Sequence, residues 1–103
     1  MKTTDYLDAV KEAYGLTSDY QLSKKLGVTQ SRITSYRSKR TFMDDSMALK
    51  IAYLLDAEPL RVLASIHAER EERQGNDVMV NFWNDVAKSG KARYVNLSRA
   101  AVI

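Results

Sequence analysis

The residues best equipped for chemistry lie between Ser18 and Arg40. Lys24, Lys25, Arg32, Arg37, Lys39 and Arg40 fall within residues 24–40, and no acidic residue interrupts them. The chain carries a net +3, so this window of +6 is set against a remainder of −3. Charge distributed so unevenly makes a directed field, and polyanions are its natural partners because each neutralised phosphate releases condensed counterions. Interleaved with the charges are Gln30, Ser31, Thr34 and Ser35. A glutamine amide pairs bidentately with adenine N6 and N7, an arginine with guanine O6 and N7, and hydroxyls with several base edges.

Other chemistries lack their parts. The sequence has no cysteine, which removes disulfides, thiolate nucleophiles and cysteine-bound zinc. Its one histidine, His67, has no metal or triad constellation around it in the sequence and reads as an ordinary helix residue. Asp44-Asp45 reads as a helix cap rather than a catalytic carboxylate pair. There is no glycine loop to cradle a nucleotide, so neither an enzyme nor a cofactor is expected. The longest apolar run, Ile51–Leu55, is far short of the roughly 20 residues of a membrane-spanning helix. No secretory leader follows Met1–Asp5, and a cytoplasmic protein is expected.

The elements that must position this surface are helical. Of 103 residues, 45% are hydrophobic and 28% charged, as in globular chains, and only four glycines and one proline punctuate them. Thr4 is the expected cap of a first helix, with Leu7, Val10 and Tyr14 on one stripe and Gly15 at its end. Ser18 and Gln21 have capping-box spacing for a second helix that ends at Gly27, and Thr29 caps a third from Gln30 to Arg37. Asp44 or Asp45 opens a fourth with Met47, Ile51 and Leu54 or Leu55 inward. Pro59 fits the first turn of a fifth, which buries Leu60, Leu63 and Ile66 before a charged exit to Gly75. Asn76 or Asp77 caps a sixth containing Val78, Phe82, Trp83 and Val86, although Val78, Val80 and Phe82 also alternate as in a strand. Residues 91–103 show no clear period beyond a short strand pattern at Tyr94, Val95 and Leu97.

Leu26-Gly27-Val28-Thr29 is too tight a connection for antiparallel helices and predicts the steep crossing of a helix-turn-helix. Ser23 is small enough for close approach, while Leu22, Leu26, Val28, Ile33 and Tyr36 clamp the pair. The opposite face of the third helix is then Gln30, Ser31, Arg32, Thr34, Ser35 and Arg37. Gln30, Ser31 and Thr34 are expected to read bases, with Arg32 and Ser35 flanking them. Arg37, Lys39 and Arg40, with Gln21, Lys24 and Thr29, are expected on the phosphate backbone.

The run Gln21-Leu22-Ser23-Lys24-Lys25-Leu26-Gly27-Val28-Thr29-Gln30-Ser31-Arg32-Ile33 resembles the helix-turn-helix of the Cro/C1-type, lambda-repressor-like family. The likeness spans about residues 4 to 73, and Met47–Ala52 and Asp56–Leu63 resemble segments of small repressors of bacteriophages, including filamentous ones. It implies an all-α, five-helix DNA-binding domain over 1–75, with a helical extension over 76–103. It also implies transcription regulation by a repressor that dimerises on a palindromic operator, with base contacts from Gln30, Ser31 and Thr34. Two positions depart from the pattern: Ser23 replaces the commoner alanine, and Asp19 stands where several members place a phosphate-contacting glutamine. The fifth helix and the 78–86 segment, through Leu63, Ile66, Phe82, Trp83 and Val86, are the expected dimer contacts, although Phe82 and Trp83 equally suit the core. The partners that fit are operator DNA, a second copy of the chain and a protein antirepressor. An antitoxin-like protein-interaction module on the same scaffold is the alternative.

Overall fold

Local sequence punctuation decides where the chain turns. The computed structural model describes residues 1–89 as six helices, with no strand among the described residues. They are α1 (Thr3–Ala13), α2 (Asp19–Leu26), α3 (Gln30–Arg37), α4 (Asp45–Leu55), α5 (Pro59–Gln74) and α6 (Asp77–Ser89). Five lie within residues 1–75 and the sixth lies beyond Gly75, where the alternating Val78, Val80 and Phe82 are helical. The strand pattern at Tyr94–Leu97 lies outside the described residues.

Most caps are supplied locally. Ser18 accepts the Gln21 N–H at 3.1 Å, Thr29 the Arg32 N–H at 3.1 Å, and Asp44 the Met47 N–H at 2.7 Å. Glu58 accepts from Leu60 across Pro59, and Asn76 accepts from Met79. Each bond satisfies one of the orphan donors at a helix start. The first helix departs from the Thr4 expectation: it begins at Thr3 with Lys2 as N-cap, and Thr4 lies inside it. The reason is a distant carboxylate. Glu69 of α5, only 6% exposed, accepts from the Thr3 N–H at 3.0 Å and the Thr3 hydroxyl at 2.6 Å, while Asp5 accepts from the Lys2 N–H.

The main core gathers the inward faces of α1 to α5. Leu7, Leu22, Ile33, Met43, Ile51 and Val62 are at most 1% exposed, with Val10, Leu26, Tyr36 and Ile66 beside them. The expected inward residues Val28, Leu54, Leu55 and Leu63 are half-buried against it, and Tyr14 is exposed, donating its hydroxyl to the Leu54 carbonyl. In the charged exit of α5, Ala68 and Glu69 are buried, while Glu72, Arg73 and Gln74 are exposed. Beyond Gly75, whose φ of +73° suits glycine, α6 packs back along α5 and wholly buries Val86. Val78 is exposed on the first turn of α6. His67 joins three helices: its Nε2 lies 3.0 Å from the Asp45 carboxylate, and its ring lies 4.7 Å from the Trp83 ring.

This packing revises the expected dimer seam. Ile66 and Val86 are wholly inside the chain and offer no surface to a second copy. Leu63, Phe82 and Trp83 are half-buried and retain some. Among the described residues, no helix is long and apolar enough to cross a membrane.

Candidate nucleic-acid interface

Two successive caps aim α3. Gly27 adopts φ +71° at the end of α2, where the Val28 N–H reaches the Ser23 carbonyl at 3.0 Å and the Gly27 N–H reaches Lys24. This 6→1 closure is the Schellman arrangement, and it requires the left-handed conformation that glycine adopts most cheaply. Lys50 of α4 adds a bond no local pattern announces, donating its ammonium to the Leu26 carbonyl at 2.8 Å. Ser23 is 2% exposed and turns its hydroxyl back to the Tyr20 carbonyl, so the small side chain fits without an unpaired donor.

On α3 the inward residues are Ile33 and Tyr36, at 0% and 1% exposure. Gln30, Ser31, Arg32 and Thr34 are exposed on the outside, Ser35 is half-buried, and the first turn carries no acid. Thr34 donates its hydroxyl to the Gln30 carbonyl at 3.2 Å, which leaves its oxygen lone pairs outward as acceptors. Arg32 lies 4.0 Å from Asp44, a long and exposed ion pair. The side chains expected to read bases therefore share one accessible face.

The expected backbone set divides. Lys24, Lys39 and Arg40 are exposed, as is Thr29 at the cap. Lys24 lies over the Tyr20 ring, and Arg40 donates to the Ser38 hydroxyl. Gln21 is exposed, but its N–H is taken by Ser18 and its side-chain oxygen by the Thr17 N–H at 2.6 Å. Of the groups with which Gln21 is expected to meet phosphate, through side chain and main chain, the backbone N–H is thus already taken within the chain.

Arg37 is engaged internally. It makes a two-pronged contact with Asp19, at 3.1 Å and 2.9 Å, and a third with Asp8 at 2.7 Å. Lys11 reaches the same Asp19 carboxylate at 3.3 Å. The Arg37 guanidinium, followed by Lys11, holds the Asp19 carboxyl below its ordinary range, and Asp19 holds Arg37 above its own. Asp19 is therefore neutralised by the arginine at the far end of α3. It fixes that helix against α1 and α2.

The loop between α3 and α4 is held from α5. Arg73 donates to the Lys39 carbonyl and Arg70 to the Met43 carbonyl, both at 3.0 Å. Both guanidinium groups stack near the Phe42 ring, at 4.6 Å for Arg73 and 5.6 Å for Arg70. Lys39 itself has φ +63°, a strained conformation for a side-chain-bearing residue that these contacts support. Sequence reading missed Lys50, Arg70 and Arg73; the only local signal was the i, i+3 spacing of two arginines in an acidic run.

Two concavities bear on the surface. A groove of about 470 Å³ lies among α1, α5 and α6, lined by Lys2, Tyr6, Ser65 and Lys88 and away from α3. A smaller recess of about 320 Å³ lies on α3 itself. Among the described residues, no group of three or more metal-ligating side chains occurs.

Comparison with known proteins finds a phage relative. Over 80 residues, 77% of this chain and 87% of the relative, the sequence is 30% identical to a protein of Pseudoalteromonas phage PM2 described as "Uncharacterized protein Gp-c". No protein-family model and no solved structure matches.

Proposed function

The chain belongs to the family of protein Gp-c of Pseudoalteromonas phage PM2, and we propose that it is a sequence-specific regulator of transcription, a phage-type repressor of lambda-repressor-like architecture. It binds double-stranded operator DNA in the cytoplasm of a bacterial host and acts by occupancy rather than catalysis. The observation that carries the reading is the outward face of α3: Gln30, Ser31, Arg32 and Thr34 are exposed together, without an acid in the first turn, on a helix held at both ends. A helix so presented can enter a major groove with its N-terminal residues at the base edges. Lys24, Lys39 and Arg40 flank it as exposed cations suited to phosphate.

A second copy supplies the other half of a palindromic site, meeting the first through what remains accessible of Leu63, Phe82 and Trp83. A protein antirepressor is a partner of the right kind for control. The test is substitution of Gln30→Ala and Thr34→Ala, followed by binding to a panel of duplexes. Each change lowers discrimination by about 1–3 kcal/mol at one base position while preserving weak general binding. Equal weakening on every sequence would show that these residues do not read bases.

A further inference from the structure

The recess on α3 is lined in part by a residue whose polar group is left unsatisfied among the described residues. Thr29, Ser31, Arg32, Ser35, Tyr36 and Thr41 line it, with the Phe42 ring at its edge. The loop is drawn onto the helix by the Arg40 N–H, which reaches the Ser35 carbonyl at 3.0 Å. Tyr36 is 1% exposed, and among the described residues no donor or acceptor meets its hydroxyl in full hydrogen-bond geometry, although the Arg32 guanidinium lies close enough to interact with it. A buried hydroxyl with no partner bears its full desolvation cost, which an arriving acceptor would relieve.

The lining specifies that acceptor. Five hydroxyls can each donate a proton, Arg32 can only donate, and among the described residues no carboxylate lines the recess. A cation would find no counter-charge there, and an apolar group would strand the hydroxyls. Asp44, the acid paired with Arg32, lies 4.0 Å away and already caps α4, so it competes weakly for the guanidinium. The start of α3, capped by Thr29, adds the positive end of a helix dipole, and Arg70 and Arg73 add charge behind Phe42.

We infer that the recess is a binding site for a phosphate oxyanion, seated with one oxygen between the Tyr36 hydroxyl and the Arg32 guanidinium. Resting on the function proposed above, its source is a backbone phosphate of the bound duplex. Arg32 and Ser35 then fix the register of α3 on the DNA rather than read its bases. A free phosphate ester would offer the same chemistry, and the experiment separates the two sources.

The test compares the full chain with Tyr36→Phe, which deletes the hydroxyl and keeps the ring. Binding falls about tenfold on selected and unrelated duplexes alike, as expected for loss of a bond to a charged acceptor. The thermal midpoint stays level or rises, because an unpaired buried group has gone. Unchanged affinity, a loss confined to the selected sequence, or a loss that tracks a lowered midpoint would each overturn the assignment. A second arm needs no duplex: inorganic phosphate is titrated at constant ionic strength while the amide resonances of Ser31, Ser35 and Thr41 are followed. Saturable shifts that vanish in Tyr36→Phe support the site. If they occur in a protein that binds no duplex, the recess stands with a free phosphate as its ligand, and the DNA reading falls. Absence of saturable shifts, together with duplex binding indifferent to the substitution, refutes the site.

Discussion

Replacing Arg37 with alanine should damage the fold more than it damages contact with phosphate. The side chain is 26% exposed and grips Asp19, itself 32% exposed, through two nitrogens, with Asp8 as a third contact at 2.7 Å. Exposed ion pairs contribute about 0.2–1 kcal/mol, but a two-pronged, partly buried pair with a further carboxylate belongs above that range. We expect a loss of about 1–2 kcal/mol, the lost stem packing included. At about 4–8 °C per kcal/mol for a domain of this size, the midpoint falls by roughly 5–15 °C. Thermal unfolding of Arg37→Ala, Asp19→Ala and the double variant isolates their coupling, expected near 1 kcal/mol as an order of magnitude. The salt dependence of duplex binding supplies the second readout. Removing a phosphate contact flattens the slope of log affinity against log salt by about 0.9, as Arg40→Ala should, whereas Arg37→Ala should leave the slope unchanged. A stable Arg37→Ala protein with a flattened slope would refute the reasoning and return Arg37 to the DNA backbone.

Three further outcomes follow from the same contacts. Glu69→Ala strips the start of α1 of its acceptor and should cost about 2–3 kcal/mol in denaturant unfolding, with Glu69→Gln recovering part because an amide oxygen still accepts. Because Asp19 is held below its ordinary pKa, its contribution is complete above the unfolded-state value of about 4 and is lost as pH falls toward the folded one. Acid unfolding curves should therefore be less steep below that point for Asp19→Asn than for the unaltered chain. Gly27→Ala should destabilise by about 1–2 kcal/mol, since φ is +71° and the new methyl would meet the Lys50 ammonium at 3.3 Å. A neutral result in equilibrium unfolding would show that the turn relaxes to another conformation.

Short-range features were legible in the sequence because their partners lie within a turn of helix. Ser18, Thr29 and Asp44 cap the helices their positions announce, and Gly27 ends α2 in the left-handed conformation. The inward positions of Ile33 and Tyr36 follow from helical spacing, which leaves Gln30, Ser31 and Thr34 outside. What escaped was contact between distant segments. Glu69 reaches Thr3 across 66 residues, Lys50 reaches Leu26 across 24, and Arg73 reaches Lys39 across 34. Nothing at Thr4 distinguishes it from Thr3 until a carboxylate from α5 favours the latter. Asp19 likewise looks hostile to phosphate until Arg37 is seen folded against it. Ile66 and Val86 fit a dimer seam on paper because periodicity marks an apolar face without saying whether the same chain covers it. Here α6 lies along α5 and both are covered within the chain.

The claim on which these readings rest is that the exposed face of α3 recognises a particular DNA sequence. Selection of bound molecules from random duplexes by the full chain tests it directly. The account predicts enrichment of an inverted repeat whose half-sites lie about one helical turn, 10–10.5 base pairs, apart or at a multiple of that spacing. Recovery of duplexes with no shared sequence, or of none above background, would contradict it.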